Sequence, residues 1–160
     1  MSLKITVVVS AFTVALAFSA GAQAMGTKAG SSSSGSSAGS AKSDYTAGEK
    51  AVRARQYKKA IARLQKVVAK QPRNVDALNY LGYSYRQLGK YRQALGYYRL
   101  ALKIKPGHRG ANEYLGQLYL RTGNVKGAKL QLTRLRKICP TGCEEYDSLR
   151  SALAKRGVKG

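Results

Sequence analysis

A spacing of 34 residues recurs through most of the chain and constrains its fold more than any other feature. Three residue types share it: Pro72, Pro106 and Pro140; Gly48, Gly82 and Gly116; and Ala60, Ala94 and Ala128. Self-similarity at a fixed period of this length is typical of arrays in which one small structural unit stacks on the next. The period predicts three units, at residues 41–74, 75–108 and 109–142.

Each unit has the pattern of two antiparallel helices. In the middle unit the apolar residues follow the i, i+3, i+7 spacing of a helix face twice, in the sets Leu78, Leu81, Tyr85 and Ala94, Tyr98, Ala101. The recurring Gly and Ala are small enough for two helices to approach closely, and the proline ends the second helix because it cannot donate the next backbone hydrogen bond. In the turn between the helices, Gly89 and Gly123 suit a left-handed cap, and Arg55 stands there in the first unit.

The middle unit resembles the tetratricopeptide repeat family. The resemblance rests on Leu78, Leu81-Gly82, Tyr85, Ala94, Tyr98, Ala101 and Pro106. It covers residues 41–142 and implies an all-α fold, a right-handed superhelical array of three helix-turn-helix hairpins with a C-terminal capping helix. The outer units depart from the family pattern at Asp44, Ala51, Leu64, Asn112 and Leu132.

The capping helix is predicted at residues 143–156. Thr141 followed three residues later by Glu144 has the spacing of a capping box, in which two side chains satisfy free N–H groups at a helix start. Tyr146, Leu149 and Leu153 then continue the apolar stripe. Since no hairpin buries its own stripe, a last helix is needed to cover the third unit.

The first residues of the chain have the pattern of a secretory signal. The uncharged run Ile5–Ala20 precedes Ala22-Gln23-Ala24, small residues of the kind that a signal peptidase reads, so residues 1–24 are predicted to be cleaved. An uncleaved anchor is the alternative, although the run is shorter than the roughly 20 residues that span a bilayer. Residues 25–42, rich in Ser and Gly, are predicted to be a flexible linker. The leader predicts a periplasmic protein of a bacterium, with the extracellular medium less favoured.

The formal net charge of +22 is unevenly distributed between the two helices of each unit. All seven acidic residues fall in helices of the first kind, including the capping helix, whereas the second helices carry fourteen Lys and Arg and no acid. Bases on an outer face often serve solubility alone, but self-repulsion of this size favours a polyanionic counterpart. The resemblance places second helices on the convex side, with a basic face formed by Lys59, Arg63, Lys66, Arg92, Arg99, Lys103, Lys129 and Arg136.

The same resemblance places the first helices along a concave groove. The predicted peptide-binding residues there are Tyr45, Glu49, Asn79, Tyr80, Tyr83, Arg86, Gln87, Glu113, Tyr114, Gln117 and Arg121. Amides can satisfy the backbone of an extended peptide, and tyrosine rings give contact area at a small entropic cost. Tyr80 and Tyr114 have packing between repeats as the alternative role. Asn79 and Arg86 match only in part the Lys and Asn set with which some family members clamp a C-terminal carboxylate.

The two cysteines, Cys139 and Cys143, stand where the last hairpin meets the capping helix. Two nearby cysteines in an exported chain usually pair, so a structural disulfide is predicted. A two-coordinate Cu(I) site and a thiol-exchange pair are the alternatives. The spacing disfavours exchange, and His108 is too far along the chain to offer an obvious third metal ligand.

These patterns exclude most enzyme classes, since the sequence shows no acid–base pair, nucleophile–base pair or phosphate loop. Neither a cofactor nor a small-molecule substrate is expected, and export disfavours nucleic acid as a partner. The predicted function is a periplasmic interaction scaffold that binds a peptide or protein segment in its groove and an acidic partner on its convex face. The alternative function is binding of an anionic polymer or membrane surface through the basic convex face.

Overall fold

Three helical hairpins and a final helix make up residues 34–158, the part of the chain that the computed structural model describes. The helices are α1 (Ser34–Arg53), α2 (Tyr57–Lys70), α3 (Val75–Gln87), α4 (Tyr91–Ile104), α5 (Arg109–Arg121), α6 (Val125–Ile138) and α7 (Glu144–Ala154). The second and third hairpins begin at residues 75 and 109, where the 34-residue period starts its units. The predicted all-α hairpin array is thereby confirmed.

The N-terminal boundary of the first hairpin differs from the predicted one. The leader and the linker up to residue 33 lie outside the described residues, but residues 34–42 of the predicted flexible linker are helical and belong to α1. Two observations apply to the last residues of this segment. Ala41 is 1% exposed, and Lys70 Nζ at the end of α2 donates a hydrogen bond to Ser40 Oγ at 2.6 Å. Packing against the end of α2 thus supports the helix at residues 40 and 41 despite a composition poor in apolar residues.

Successive hairpins pack mainly with the second helix of one against the first helix of the next, α2 against α3 and α4 against α5. The first helices also touch, since α1 contacts α3, α3 contacts α5 and α5 contacts α7, whereas α2, α4 and α6 make no contacts with one another. Elements that touch on one side and separate on the other produce a curved stack. We call the side formed by α1, α3, α5 and α7 the inner face, and the side formed by α2, α4 and α6 the outer face.

The recurring glycines lie where a side chain of another helix presses on the first helix. A Cβ atom added at Gly82 would lie 2.5 Å from Cε1 of Tyr98, and one at Gly48 would lie 2.7 Å from Cγ of Leu64. Both partners are on the second helix of the same hairpin, as predicted. The third glycine differs, because the side chain that covers Gly116 is Leu149 of α7. The final helix therefore completes the core of the third hairpin.

Two polar residues, Asp44 and Asn112, replace the large apolar residue of the family pattern at the fourth position of the first and third units. Asp44 is 8% exposed and forms an ion pair with Arg63, at 3.1 Å from Nη1 to Oδ1. The fully buried Asn112 donates from Nδ2 to the carbonyl oxygens of Pro106 and His108, both at 2.9 Å. These two polar departures from the family pattern thus each make local side-chain hydrogen bonds.

Candidate functional site

A row of tyrosines runs along the inner face and joins the three hairpins. The ring centroids of Tyr45 and Tyr80 are 6.3 Å apart, and those of Tyr83 and Tyr114 are 4.9 Å apart. Aromatic pairs at these separations contribute a favourable interaction energy in addition to that gained by burying their apolar surface. All four rings are half-buried, so each packs against a neighbour and keeps part of its surface free. We call Tyr45, Tyr80, Tyr83 and Tyr114 the tyrosine row.

A buried arginine lies beneath the centre of the tyrosine row. Arg86 is 4% exposed, and its Cζ is 5.2 Å from the ring centroid of Tyr83 and 5.5 Å from that of Tyr114. A guanidinium is attracted to the faces of aromatic rings at such distances. Within residues 34–158 Arg86 has no ion-pair partner, and its Nε has no hydrogen-bond partner. The row thus lies over a positive charge that aromatic faces stabilise.

The first hairpin contributes a carboxylate at one end of the row. Glu49 Oε1 accepts hydrogen bonds from Arg53 Nη2 at 2.9 Å and from Tyr80 Oη at 3.4 Å. Burial raises the pKa of the Tyr80 hydroxyl, and the negative charge of Glu49 adds to the rise. Tyr80 therefore remains a neutral hydrogen-bond donor at physiological pH.

At the other end of the row, α7 covers part of the inner face. Glu113 Oε1 accepts hydrogen bonds from Ser148 Oγ at 2.5 Å and from Gln117 Nε2 at 2.9 Å. Glu113 is 8% exposed, and this burial raises the pKa of its carboxyl group against the opposing effect of the Ser148 hydrogen bond. Burial and the nearby Glu113 raise the pKa of Tyr114 to about 12. These contacts join α7 to the inner face of the third hairpin.

The predicted groove residues fall into two sets in the structure. Those that keep exposed surface are Tyr45, Glu49, Tyr80, Tyr83, Gln87, Tyr114, Gln117 and Arg121. Asn79, Arg86 and Glu113 are buried and support the groove from below. Asn79 Oδ1 and Arg86 Nε are buried without hydrogen-bond partners within residues 34–158. The groove therefore has a polar base and a half-exposed aromatic surface.

Sequence reasoning missed the contribution of α7 to the inner face. Ser148, Ser151 and Lys155 line a cavity of about 450 Å³ together with Gln117 and Arg121. The sequence does contain a signal for this contribution. A fourth 34-residue unit counted from residue 143 places Ser148, Ser151 and Lys155 at groove positions. The capping helix was interpreted only as a cover for the core.

The bases of the second helices are all exposed. The fourteen comprise the predicted basic-face residues Lys59, Arg63, Lys66, Arg92, Arg99, Lys103, Lys129 and Arg136, with Lys58, Lys70, Lys105, Lys126, Arg134 and Lys137. Of the fourteen, only Arg63 has an ion-pair partner within residues 34–158. These helices thus carry positive charge that is almost entirely uncompensated locally.

The cysteine pair lies at the junction of α6 and α7, with the Cα atoms of Cys139 and Cys143 6.0 Å apart. This separation is inside the range that a disulfide requires, and the bridge stays a prediction. Residues 34–158 contain no cluster of three or more His, Cys, Asp or Glu side chains arranged to hold a metal ion. Over the same residues, no helix has both the length and the apolar character to cross a bilayer.

His108 has a structural role at the start of α5. Its Nδ1 accepts a hydrogen bond from the Ala111 N–H at 3.0 Å, and its Nε2 lies 2.9 Å from Asp76 Oδ1. A neutral ring that accepts at Nδ1 carries its proton on Nε2, and this N–H donates a hydrogen bond to Asp76 Oδ1. The histidine therefore caps a helix and joins two hairpins.

Stacked antiparallel helix pairs with an aromatic inner face define a helical-repeat protein. Two tetratricopeptide repeat family profiles match, one over residues 45–109 and the other over residues 85–153. The chain belongs to the tetratricopeptide repeat family, which confirms the predicted family. No curated protein sequence matches the chain.

Solved structures with the same fold include three at low sequence identity. The Arabidopsis OM64 TPR domain matches with a TM-score of 0.68 at 15% identity, covering 75% of this chain and 98% of that one. The first TPR domain of Spaghetti (RPAP3), bound to the HSP90 peptide SRMEEVD, has a TM-score of 0.65 at 20% identity, with 74% and 94% covered. MamA has a TM-score of 0.64 at 19% identity, with 74% and 70% covered. Likeness at these identities establishes the fold alone.

Proposed function

We propose that the chain is a scaffold that binds an extended peptide or protein segment along its inner face. The observation that carries the proposal is the tyrosine row, four half-buried rings that span the three hairpins. Rings fixed by their neighbours offer contact area without the entropic cost of ordering flexible side chains. The RPAP3 domain bound to an HSP90 peptide supports the proposal by showing that a protein of this fold binds a peptide.

The surroundings of the row suit the backbone of such a segment. Gln87 and Gln117, both half-buried, lie on the inner-face helices with amide groups that can both donate and accept hydrogen bonds. Arg86 beneath Tyr83 and Tyr114 adds positive potential at the centre. Because α7 covers part of the third hairpin, the segment would lie mainly across the first two hairpins and the start of the third.

The second part of the proposal concerns the outer face and the location of the protein. The exposed and largely unpaired bases of the second helices would bind an acidic partner, or in the alternative an anionic polymer or membrane surface. The apolar leader supports export to the periplasm. N-terminal sequencing of exported protein tests this location: a chain that starts at residue 25 supports it, and one that starts at Met1 contradicts it.

The groove is tested by selecting ligands from a peptide library and measuring their affinities for variants. Replacing Tyr80 and Tyr83 with Ala should weaken the binding of the selected peptides by more than about 2 kcal/mol, since aromatic anchors dominate such interfaces. Tyr83→Phe keeps the ring and should retain most of the affinity. Circular dichroism checks that each variant keeps its helicity.

A matched variant separates the groove from the charge of the outer face. Reversing Arg92, Arg99 and Lys103 to Glu should change mainly the association rate and the salt dependence of peptide binding, because distant charge steers encounters more than it holds complexes. If this reversal abolishes peptide binding while the double tyrosine variant binds normally, the inner face is not the site.

A further inference from the structure

An open cleft separates α4 from α6 on the outer face. Its main cavity has a volume of about 810 Å³, and a second cavity of about 490 Å³ continues it toward the C-terminal ends of both helices. The two cavities share Leu102 and Arg134 as lining residues. The cleft therefore follows α4 and α6 along much of their length, away from the peptide groove.

Comparison of the hairpins shows why this cleft is open. Tyr85 and Tyr97 stack between α2 and α4, with centroids 5.4 Å apart and planes at 7°, and Gln65 Nε2 donates a hydrogen bond to Tyr85 Oη at 3.2 Å. One repeat later Tyr119 corresponds to Tyr85, but Gln131 stands in place of Tyr97. The ring that Tyr97 places between α2 and α4 therefore has no counterpart between α4 and α6.

The cleft combines an apolar base with a surround of cations. Leu102, Leu115 and Tyr119 contribute apolar surface, and Leu130 is 50% exposed. No Asp or Glu is among the lining residues of either cavity. The six cations that line the two cavities are Arg99, Lys103, Lys126, Lys129, Arg134 and Lys137, and none has an ion-pair partner within residues 34–158.

The exposed large apolar residues lie on the two helices that form the cleft, and one of them, Leu130, also lines its main cavity. Within the part of the chain whose side chains are described they are Leu100 (42% exposed), Val125 (37%) and Leu130 (50%), all on α4 or α6. Helix α2 has five exposed bases, including Lys58, but no such apolar residue. All three helices of the outer face therefore carry exposed bases, but only α4 and α6 also carry exposed large apolar residues.

We propose that the surface formed by α4 and α6 binds an anionic phospholipid bilayer, an inference that rests on the basic outer face of the proposed function. Lysine and arginine side chains would bind the lipid phosphates, while Leu100 and Leu130 enter the boundary between headgroups and acyl chains. Bilayers are bound through this pairing of cations with exposed apolar side chains. A soluble polyanion would use the charge alone and leave the leucines and the apolar cleft without a role.

The inference is tested by co-sedimentation of the protein with vesicles at fixed ionic strength. Vesicles of phosphatidylglycerol mixed with phosphatidylcholine should bind the protein, and vesicles of phosphatidylcholine alone should not. Neutralising Lys103, Lys129 and Arg134 to Gln should weaken binding about a hundredfold, because each base near an anionic surface contributes about fivefold. The control neutralises the same number of charges on α2, at Lys58, Lys59 and Lys66, and should have a clearly smaller effect.

A second pair of measurements separates a bilayer from a soluble polyanion. The variant Leu100→Ser with Leu130→Ser should bind the anionic vesicles about tenfold more weakly but bind polyphosphate as the unmodified protein does. Both leucines are exposed, so circular dichroism should show unchanged helicity. If the leucine variant binds vesicles normally, or the two charge variants weaken binding equally, net charge alone acts and the inference is wrong.

The outcome also distinguishes this inference from the functions on which it rests. Binding to polyphosphate but not to vesicles would overturn the bilayer inference and leave the basic outer face as a polyanion site. Binding to neither would overturn the proposed basic face as well. Vesicle binding should be unchanged in the double variant of Tyr80 and Tyr83 to Ala, and a loss there would place the lipid contact on the inner face.

Discussion

The turn inside each hairpin contains one residue with a positive φ, and the first hairpin is unusual in using an arginine there. The φ angles are 57° at Arg55, 73° at Gly89 and 79° at Gly123. A side chain in this left-handed region costs about 1–2 kcal/mol, whereas glycine adopts it freely. Arg55→Gly removes that cost but also increases the entropy of the unfolded chain, which offsets about 0.4–1 kcal/mol. We expect the variant to gain about 0.5–1 kcal/mol of stability.

Two alanine substitutions separate backbone conformation from packing. A Cβ added at Gly89 or at Gly96 would meet nothing within 4 Å, so neither substitution creates a clash. Gly96 lies inside α4 and does not have a positive φ. Gly89→Ala should therefore destabilise the protein by about 1 kcal/mol, and Gly96→Ala should stabilise it by about 1 kcal/mol through helix propensity.

Equilibrium urea unfolding followed by helical circular dichroism measures all three changes. The slope of the unfolding free energy against urea should stay constant, so that a shift in midpoint reports stability alone. Opposite shifts for the two alanine variants are the critical outcome. Shifts in the same direction, or a loss of stability in Arg55→Gly, would show that the left-handed turn is not the source of the strain.

Three further predictions follow from burial and from the cysteine pair. Burial raises the pKa of Glu113 in the folded state, so the contribution of this carboxyl group to stability should be greatest below its ordinary pKa and be lost as pH rises through the folded value. Urea unfolding over a series of pH values should show this loss in the wild-type protein, and Glu113→Gln should lack it. Leu149→Ala should cost about 2–5 kcal/mol in the same assay, since Leu149 is fully buried against Gly116, whereas Leu130→Ala at an exposed site should change stability by less than about 0.5 kcal/mol. Thiol titration of unfolded, unreduced protein should detect no free thiol at Cys139 and Cys143, and two titratable thiols would contradict the predicted bridge.

The period and its small residues were sufficient to predict the hairpins. Gly82 marks a close contact between the two helices of a hairpin, and Pro106 follows the end of α4, so both effects arise within a single repeat. The start of α1 could not be predicted because Ser and Gly in residues 34–42 have little helix preference, and the contact of Ser40 with Lys70 is not visible in the sequence. The partner of Gly116 was also not predictable from the period, since Leu149 comes from beyond the third unit.

The groove residues were predicted from their positions in the repeat, but repeat position does not determine how deeply a side chain is buried. Tyr83 and Arg86 are both groove positions, yet Tyr83 is half-exposed and Arg86 is buried beneath it. That difference depends on how a long side chain turns between two aromatic rings, which spacing alone does not specify. The outer cleft could have been found by aligning the repeats, because Gln131 replaces Tyr97 at one position of an otherwise shared pattern.

The order of helix contacts has a consequence for how the chain acquires its fold. No helix contacts another that is more than two helices away along the described part of the chain. Proteins dominated by such short-range contacts fold quickly, because little loop entropy is lost before contacts form. A chain that emerges N-terminus first, from a ribosome or through a membrane pore, can therefore close each hairpin on the one before it. The core of the last hairpin is then complete only when α7 arrives, because Leu149 and Leu153 of that helix are fully buried.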